Sequence, residues 1–209
     1  MTLNGQIASH TDNIDEHQLP IKDVILVDDS PISERQPLAY WLFHKAVGTD
    51  CRLQISDPCS LLHLLPKYPR LYPAGRLDKD SRGLLLLTND GELTQKLMHP
   101  QFQHEKTYEV RLNRPYDADF LTKMAQGVCY NKVTTLPCHI KRLGEDSFEI
   151  ILTQGLNRQI RRMCQALGYR VVDLKRVAIG GLQLGGLDVG AMKPLTAAEI
   201  ATLLSRYKV

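Results

Sequence analysis

The chain has little that would let it work through a metal, a disulfide frame or a nucleotide cofactor. Its five cysteines (Cys51, Cys59, Cys129, Cys138 and Cys164) are odd in number and scattered, and no two form a CxxC pair. Its seven histidines fall in no HxxxH spacing. A structural zinc or disulfide scaffold is therefore not expected, and a reducing compartment is. Cys138 and His139 are adjacent, a spacing that suits neither a metal clamp nor a nucleophile with its base. No apolar run reaches the ~20 residues of a membrane span, and Met1 onward lacks the charged-then-apolar pattern of a leader. The glycines from Gly180 to Gly190 hold no GxGxxG that opens a helix, so they read as turns. Repeats and low-complexity tracts are absent. These absences predict a cytoplasmic protein with no membrane, metal or cofactor dependence.

What is present is unevenly distributed. The net charge of the 209 residues is only +3. Met1–Tyr40 carries two basic against seven acidic residues, whereas the chain from Ile150 onward carries nine basic against three acidic. Such a skew predicts an anionic partner for the C-terminal half. The length suits one sizeable domain plus a small appendage. Leu3-Asn4-Gly5-Gln6-Ile7 and Val24–Val27 read as two short strands with a turn, too small for a core of their own. Positions 31–37, with two prolines, read as a linker, and 38–209 as the main domain.

The most informative stretch is Tyr72–Gly91, YPAGRLDKDSRGLLLLTNDG. Arg76 and Asp78, two apart in extended chain, face the same side. Leu84–Leu87 shows no polar alternation, so that strand is buried on both faces. A polar pair leading into such a strand is a rigid mount for a site. The same residues, with Lys79, Asp80 and Arg82, also suit a plain solvated ion-pair cluster, and spacing alone leaves both readings open.

Along the rest of the main domain, Leu38–Val47 reads as a strand and Cys59–Leu65 as a short helix stopped by Pro66. Gly91–Met98 reads as a helix capped by Asp90, and Lys106–Asn113 as a strand with Tyr108, Val110 and Leu112 inward. Ala118–Gly127 is a second helix. Val133–Ile140 and Ser147–Leu152 read as a hairpin, Tyr169–Leu174 as a strand, and Thr196–Tyr207 as a helix with a Thr196/Glu199 capping box. Between Asn157, a candidate N-cap, and Gly168, the residues Ile160, Met163, Cys164 and Leu167 form an apolar stripe. Arg158, Arg161 and Arg162 crowd the first turns of that helix, where the macrodipole already disfavours cations. An anion is therefore expected at that end, phosphate or the carboxylate of Asp78. One carboxylate with arginines, a tyrosine and no metal set fits a rearrangement at a glycosidic carbon better than hydrolysis by paired carboxylates.

GRLDKDSRGLLLLTNDG, HEKTYEV and QGLNRQIRRMCQALGY stand in the order and spacing of the RsuA/RluF family of RNA pseudouridine synthases, which the chain resembles from about Tyr40 to its C-terminus. The family's usual Lys-Pro is Lys45-Ala46 here. The resemblance implies an α+β fold: a mixed, mainly antiparallel sheet with flanking helices and a central cleft, preceded at 1–30 by a remnant of an S4 RNA-binding module whose basic helical part is absent. It implies uridine-to-pseudouridine isomerisation in RNA without a cofactor, by a monomer, on ribosomal RNA of the large subunit first and transfer RNA second. Asp78 would be the catalytic aspartate. Arg76, Tyr108, Arg158, Gln159, Arg161 and Arg162 would bind substrate, with Tyr108 stacking on the base, Arg161 pairing with Asp78, and Arg158 and Arg162 meeting phosphates. The rival expectations are a non-catalytic RNA-binding or ribosome-assembly protein on the same scaffold, and an enzyme acting on free nucleotides.

Overall fold

The computed structural model describes residues 1–9, 24–31 and 36–205, which gather into two compact units, Met1–Pro37 and Leu38–Val209. In the first, β1 (Thr2–Leu3), β2 (Gln6–Ile7), β3 (Ile25–Val27) and β4 (Ser30–Pro31) make an antiparallel sheet in the order β2-β1-β3-β4. Its two hairpins turn at Asn4-Gly5 (φ 51° and 82°) and Asp28-Asp29 (φ 50° and 60°). Positive φ at both central residues matches the twist of the flanking strands, which is why these residue types sit there. Of the expected linker, Pro31 lies in β4 and residues 32–35 lie outside the described residues.

The second unit contains β5 (Tyr40–Lys45), β6 (Tyr72–Ala74), β7 (Arg82–Thr88), β8 (Lys106–Leu112), β9 (Cys129–Tyr130), β10 (Val133–Thr134), β11 (His139–Arg142), β12 (Ser147–Leu152), β13 (Val171–Ile179), β14 (Leu182–Gln183) and β15 (Met192–Pro194). Its helices are α1 (Gly91–Met98), α2 (Ala118–Gln126), α3 (Gln159–Ala166) and α4 (Ala197–Ser205). The main sheet runs β11-β12-β8-β13-β7-β5-β15, with β14 on β13 and β6 on β7, while β9 and β10 pair apart from it. Its pairings are antiparallel except β13 with β7. This is the mixed, mainly antiparallel α+β sheet expected.

The unbroken leucines of β7 have a simple cause. Leu84 and Leu86 pack into one cluster with α1, α4 and β5, while Leu85 and Leu87 pack into another with Phe43, Leu61 and Leu71. A third cluster joins β8, β12 and β13 to α2 and α3, with Phe120 edge-on to Phe148 and Tyr169 at centroid distances of 5.5 and 4.7 Å. Helix starts follow their caps: Asp90 Oδ1 accepts from Leu93 N at 2.9 Å, and Asp117 Oδ1 from Phe120 N at 2.8 Å. The Thr196/Glu199 capping box forms in both directions, at 2.7 and 3.2 Å. The expected end of α4 beyond Ser205 lies outside the described residues.

Three local expectations fail. The short helix before Pro66 is a 3-10 turn, Leu61–Leu64, because Pro66 holds Leu65 extended (ψ 146°) before a full α-turn can close. Val133–Ile140 is not one strand. β10 folds back on β9 and β11 pairs with β12, since Pro137 between them has no N–H for a ladder. Finally, α3 starts at Gln159 behind a left-handed Arg158 (φ 51°) with no side-chain cap, and Asn157 accepts from Arg162 Nη2 instead.

Candidate active site

Asp78 lies in the loop that drops from β6 into β7. The loop is tight: Ser81 N donates to the Asp78 carbonyl at 3.0 Å, and Gly48 N to the Lys79 carbonyl at 2.7 Å. Its peg is Lys45, at the end of β5 and fully buried. The Lys45 ammonium donates to the carbonyls of Ser81 at 2.7 Å, Ala46 at 3.0 Å and Lys79 at 3.5 Å. Burial pulls its pKa down, opposed by nearby acidic groups that include Asp80 and Asp78. Main-chain carbonyls thus supply what a buried cation requires.

The start of α3 docks on the same loop. Arg158 forms a two-pronged pair with Asp80, 3.0 Å to Oδ1 and 2.7 Å to Oδ2, and stands 3.7 Å from Asp78 Oδ2. Arg161 reaches behind, donating to the Asp80 carbonyl at 2.7 Å, Ser81 Oγ at 3.2 Å and the Val171 carbonyl at 3.2 Å. The Arg158 hydrogen bonds hold the Asp80 carboxyl below its usual range. Of the two anions expected at this positive helix end, phosphate or the Asp78 carboxylate, the fold supplies a carboxylate, but the principal partner of Arg158 and Arg161 is Asp80. The left-handed Arg158 swings over the turn, so it and not Arg161 is the arginine on Asp78.

Between this wall and the sheet lies a cleft of about 510 Å³. Asp78, Arg76, Tyr108, Arg158 and Gln159 line it together, whereas Arg161 and Arg162 do not. Arg76 is exposed. Gln159 is 5% exposed and closes the 154–159 loop, its Oε1 accepting from Leu156 N at 3.1 Å. Tyr108, half-buried on β8, packs against two of the three core clusters, which fix its position in the cleft. Asp50 brings a second carboxylate to the rim, but Arg52 grips it at 3.1 and 2.7 Å and holds its carboxyl at about 2. Cys51 also lines the cleft. Burial pushes its thiol up, which disfavours the thiolate a nucleophile needs.

Sequence reasoning gave Lys45, Lys106 and Arg176 no role in the cleft and Asp80 only a place in an ion-pair cluster. A lysine ending an otherwise apolar strand marks the first. Arg176 shares the inward parity of Leu174 and Ala178, both buried, which marks it too.

A family model described as RNA pseudouridylate synthase matches residues 39–166. The chain belongs to this family. It is 36% identical over 203 residues to the dual-specificity RNA pseudouridine synthase RluF of Escherichia coli strain K12, covering 96% of this chain and 68% of that one. It is 36% identical over 178 residues to ribosomal large subunit pseudouridine synthase B of Bacillus subtilis, covering 81% and 73%. A crystal structure of a pseudouridylate synthase superimposes with a TM-score of 0.76 at 31% identity, covering 97% of this chain and 87% of that one. The pseudouridine synthase fold and the class of enzyme, an isomerase acting on uridine in RNA, are thereby fixed. Among the described residues no helix is long and apolar enough to cross a membrane.

Proposed function

We propose that this chain converts a uridine of ribosomal RNA, in the large subunit, to pseudouridine, with Asp78 as the acting carboxylate and 38–209 as the catalytic domain. The observation that carries the reading is that Asp78, Tyr108 and the start of α3, far apart in sequence, line one cleft of nucleotide size. The names borne by the relatives support ribosomal RNA as substrate.

The base leaves C1′, turns, and rejoins through C5, with no water consumed. Asp78 either bonds C1′ or takes a sugar proton, and in both cases it must be a fixed, negatively charged oxygen. Lys45, through the carbonyls of Lys79 and Ser81, fixes the loop, and Arg158 supplies the counter-charge. Tyr108 offers a ring for the flipped base. The exposed Arg76, which makes no ion pair among the described residues, is available to RNA phosphate or to the space the base vacates. The first unit, acid-rich and without a basic helix among its described residues, is read as an S4-like remnant that adds little RNA affinity.

The test is Asp78→Asn with ribosomal RNA carrying tritium at uridine C5. Tritium release should vanish while the melting temperature holds. Unchanged release by the variant would favour the non-catalytic scaffold and end the assignment.

A further inference from the structure

The cleft's floor carries two positive charges that make no ion pair among the described residues, and one of them keeps a guanidinium nitrogen without an acceptor. Arg176 on β13 is 3% exposed, donates from Nε to the Leu84 carbonyl at 2.8 Å, and leaves Nη2 buried without an acceptor. Lys106 on β8 donates to the His104 carbonyl at 3.0 Å. Neither makes an ion pair among the described residues, and both line the cleft beside Tyr108, the cross-strand partner of Arg176. On the opposite parity charges do pair, Arg82 of β7 with Asp173 at 2.7 Å and Lys175 with Glu109 at 3.5 Å. Burial and the charge of Arg176 both lower the Lys106 pKa, as expected of two neighbouring cations of which neither is paired with an anion.

The depth of Arg176 is built in. Gly83 on β7 faces it in parallel register at φ 113°, and a Cβ there would collide with the Arg176 main chain. A buried guanidinium and a half-buried ammonium kept without a counter-ion are costly for stability alone. A ligand that becomes negative inside the cleft makes sense of them.

We infer that Arg176, backed by Lys106, holds the uracil ring by a carbonyl oxygen while the detached base carries negative charge. This rests on the function proposed above. When the C1′–N1 bond breaks, its electron pair passes to the base and spreads onto N1 and the ring carbonyl oxygens. The guanidinium and ammonium meet that charge. The anion turns, and a pair from C5 forms the C5–C1′ bond. C5 then gives up its proton and N1 gains one. No oxidant, reductant or water enters. The cations stabilise a species that exists only between the two bonds, so their effect falls on rate rather than on RNA affinity.

The experiment compares the native chain, Arg176→Gln and Lys106→Gln under single-turnover conditions, on ribosomal RNA from cells lacking the protein and on the same RNA with 5-fluorouridine. Fluorine makes the departing base a more stable anion that needs less help, and because C5 then has no proton to give up, conversion of this RNA is read as loss of the N1-linked fluorouridine. Arg176→Gln should slow conversion of ordinary uridine about 100-fold, with RNA affinity changed less than about threefold, and the deficit should shrink at least about tenfold on the fluorinated RNA. Lys106→Gln should show the same pattern more weakly, and it serves alone should Arg176→Gln not fold. Equal deficits on both RNAs would mean a structural role and overturn the inference. So would weakened binding with a salt slope lower by about 1, which marks a phosphate contact. A native chain that converts neither RNA would overturn the parent reading and this one with it. An active native chain with unimpaired variants overturns this one alone.

Discussion

The two sides of the cleft solve opposite problems. The wall, made by the Asp78–Ser81 turn and the start of α3, is electrostatically closed: Asp80 takes two prongs from Arg158, and the buried Lys45 ammonium is wrapped in carbonyls. The floor, Arg176 and Lys106, is left open. A closed network holds geometry, and an open one waits for charge. On the function and the inference proposed above, the difference means that Asp78 is aimed before substrate arrives, whereas the floor gains its partner only during the reaction.

The sharpest way to break this arrangement is Gly83→Ala. A side chain at φ 113° against the Arg176 main chain should cost about 3–5 kcal/mol in denaturant unfolding and misplace the floor. Lys45→Met attacks the wall. It leaves three carbonyls short of a donor and should cost about 2–4 kcal/mol, with turnover falling as the loop loosens. Lys45→Arg, too large for the space, should not rescue it. Asp80→Asn should be milder in stability, about 1 kcal/mol because the pair is partly exposed, yet cost about tenfold in kcat by freeing Arg158. Arg162→Ala, which loses only its bond to Asn157, should shift stability by under about 0.5 kcal/mol.

Acid should separate the sides as well. Hydrogen bonds from Arg158 and Arg82 depress the carboxyls of Asp80 and Asp173 below the ordinary 3.8. A depressed carboxylate contributes stability that is complete above its unfolded pKa and is lost as pH falls through the folded one. Thermal melts should therefore be level from pH 7 to about pH 5 and drop below about pH 4, with Asp80→Asn flattening part of that drop. An unchanged acid limb in this variant would remove Asp80 from the account.

Much of this was legible beforehand because it is local. Four leucines without alternation mean burial on both faces, Asp90 caps the helix that follows it, and the arginine-crowded start of α3 calls for an anion, phosphate or a carboxylate. The carboxylate was not legible, because a left-handed Arg158 decides between Asp78 and Asp80, and arginine, unlike Asn, Asp or Gly, is not a residue type that marks that conformation. Nor was the role of Lys45, since the carbonyls it serves come from a loop more than thirty residues away. Arg176 lay in plain view at an inward position among apolar neighbours, and only its count as a charge was used.

One feature of the main sheet reaches further than packing. Since alternate leucines of β7 belong to separate clusters on opposite faces, neither side can be repacked without moving the other. The loop carrying Asp78 hangs from the N-terminal end of that strand. The carboxylate proposed to act on the sugar is therefore steadied by a beam clamped from above and below, so a larger side chain in place of Leu85 should blunt activity without ever touching the nucleotide.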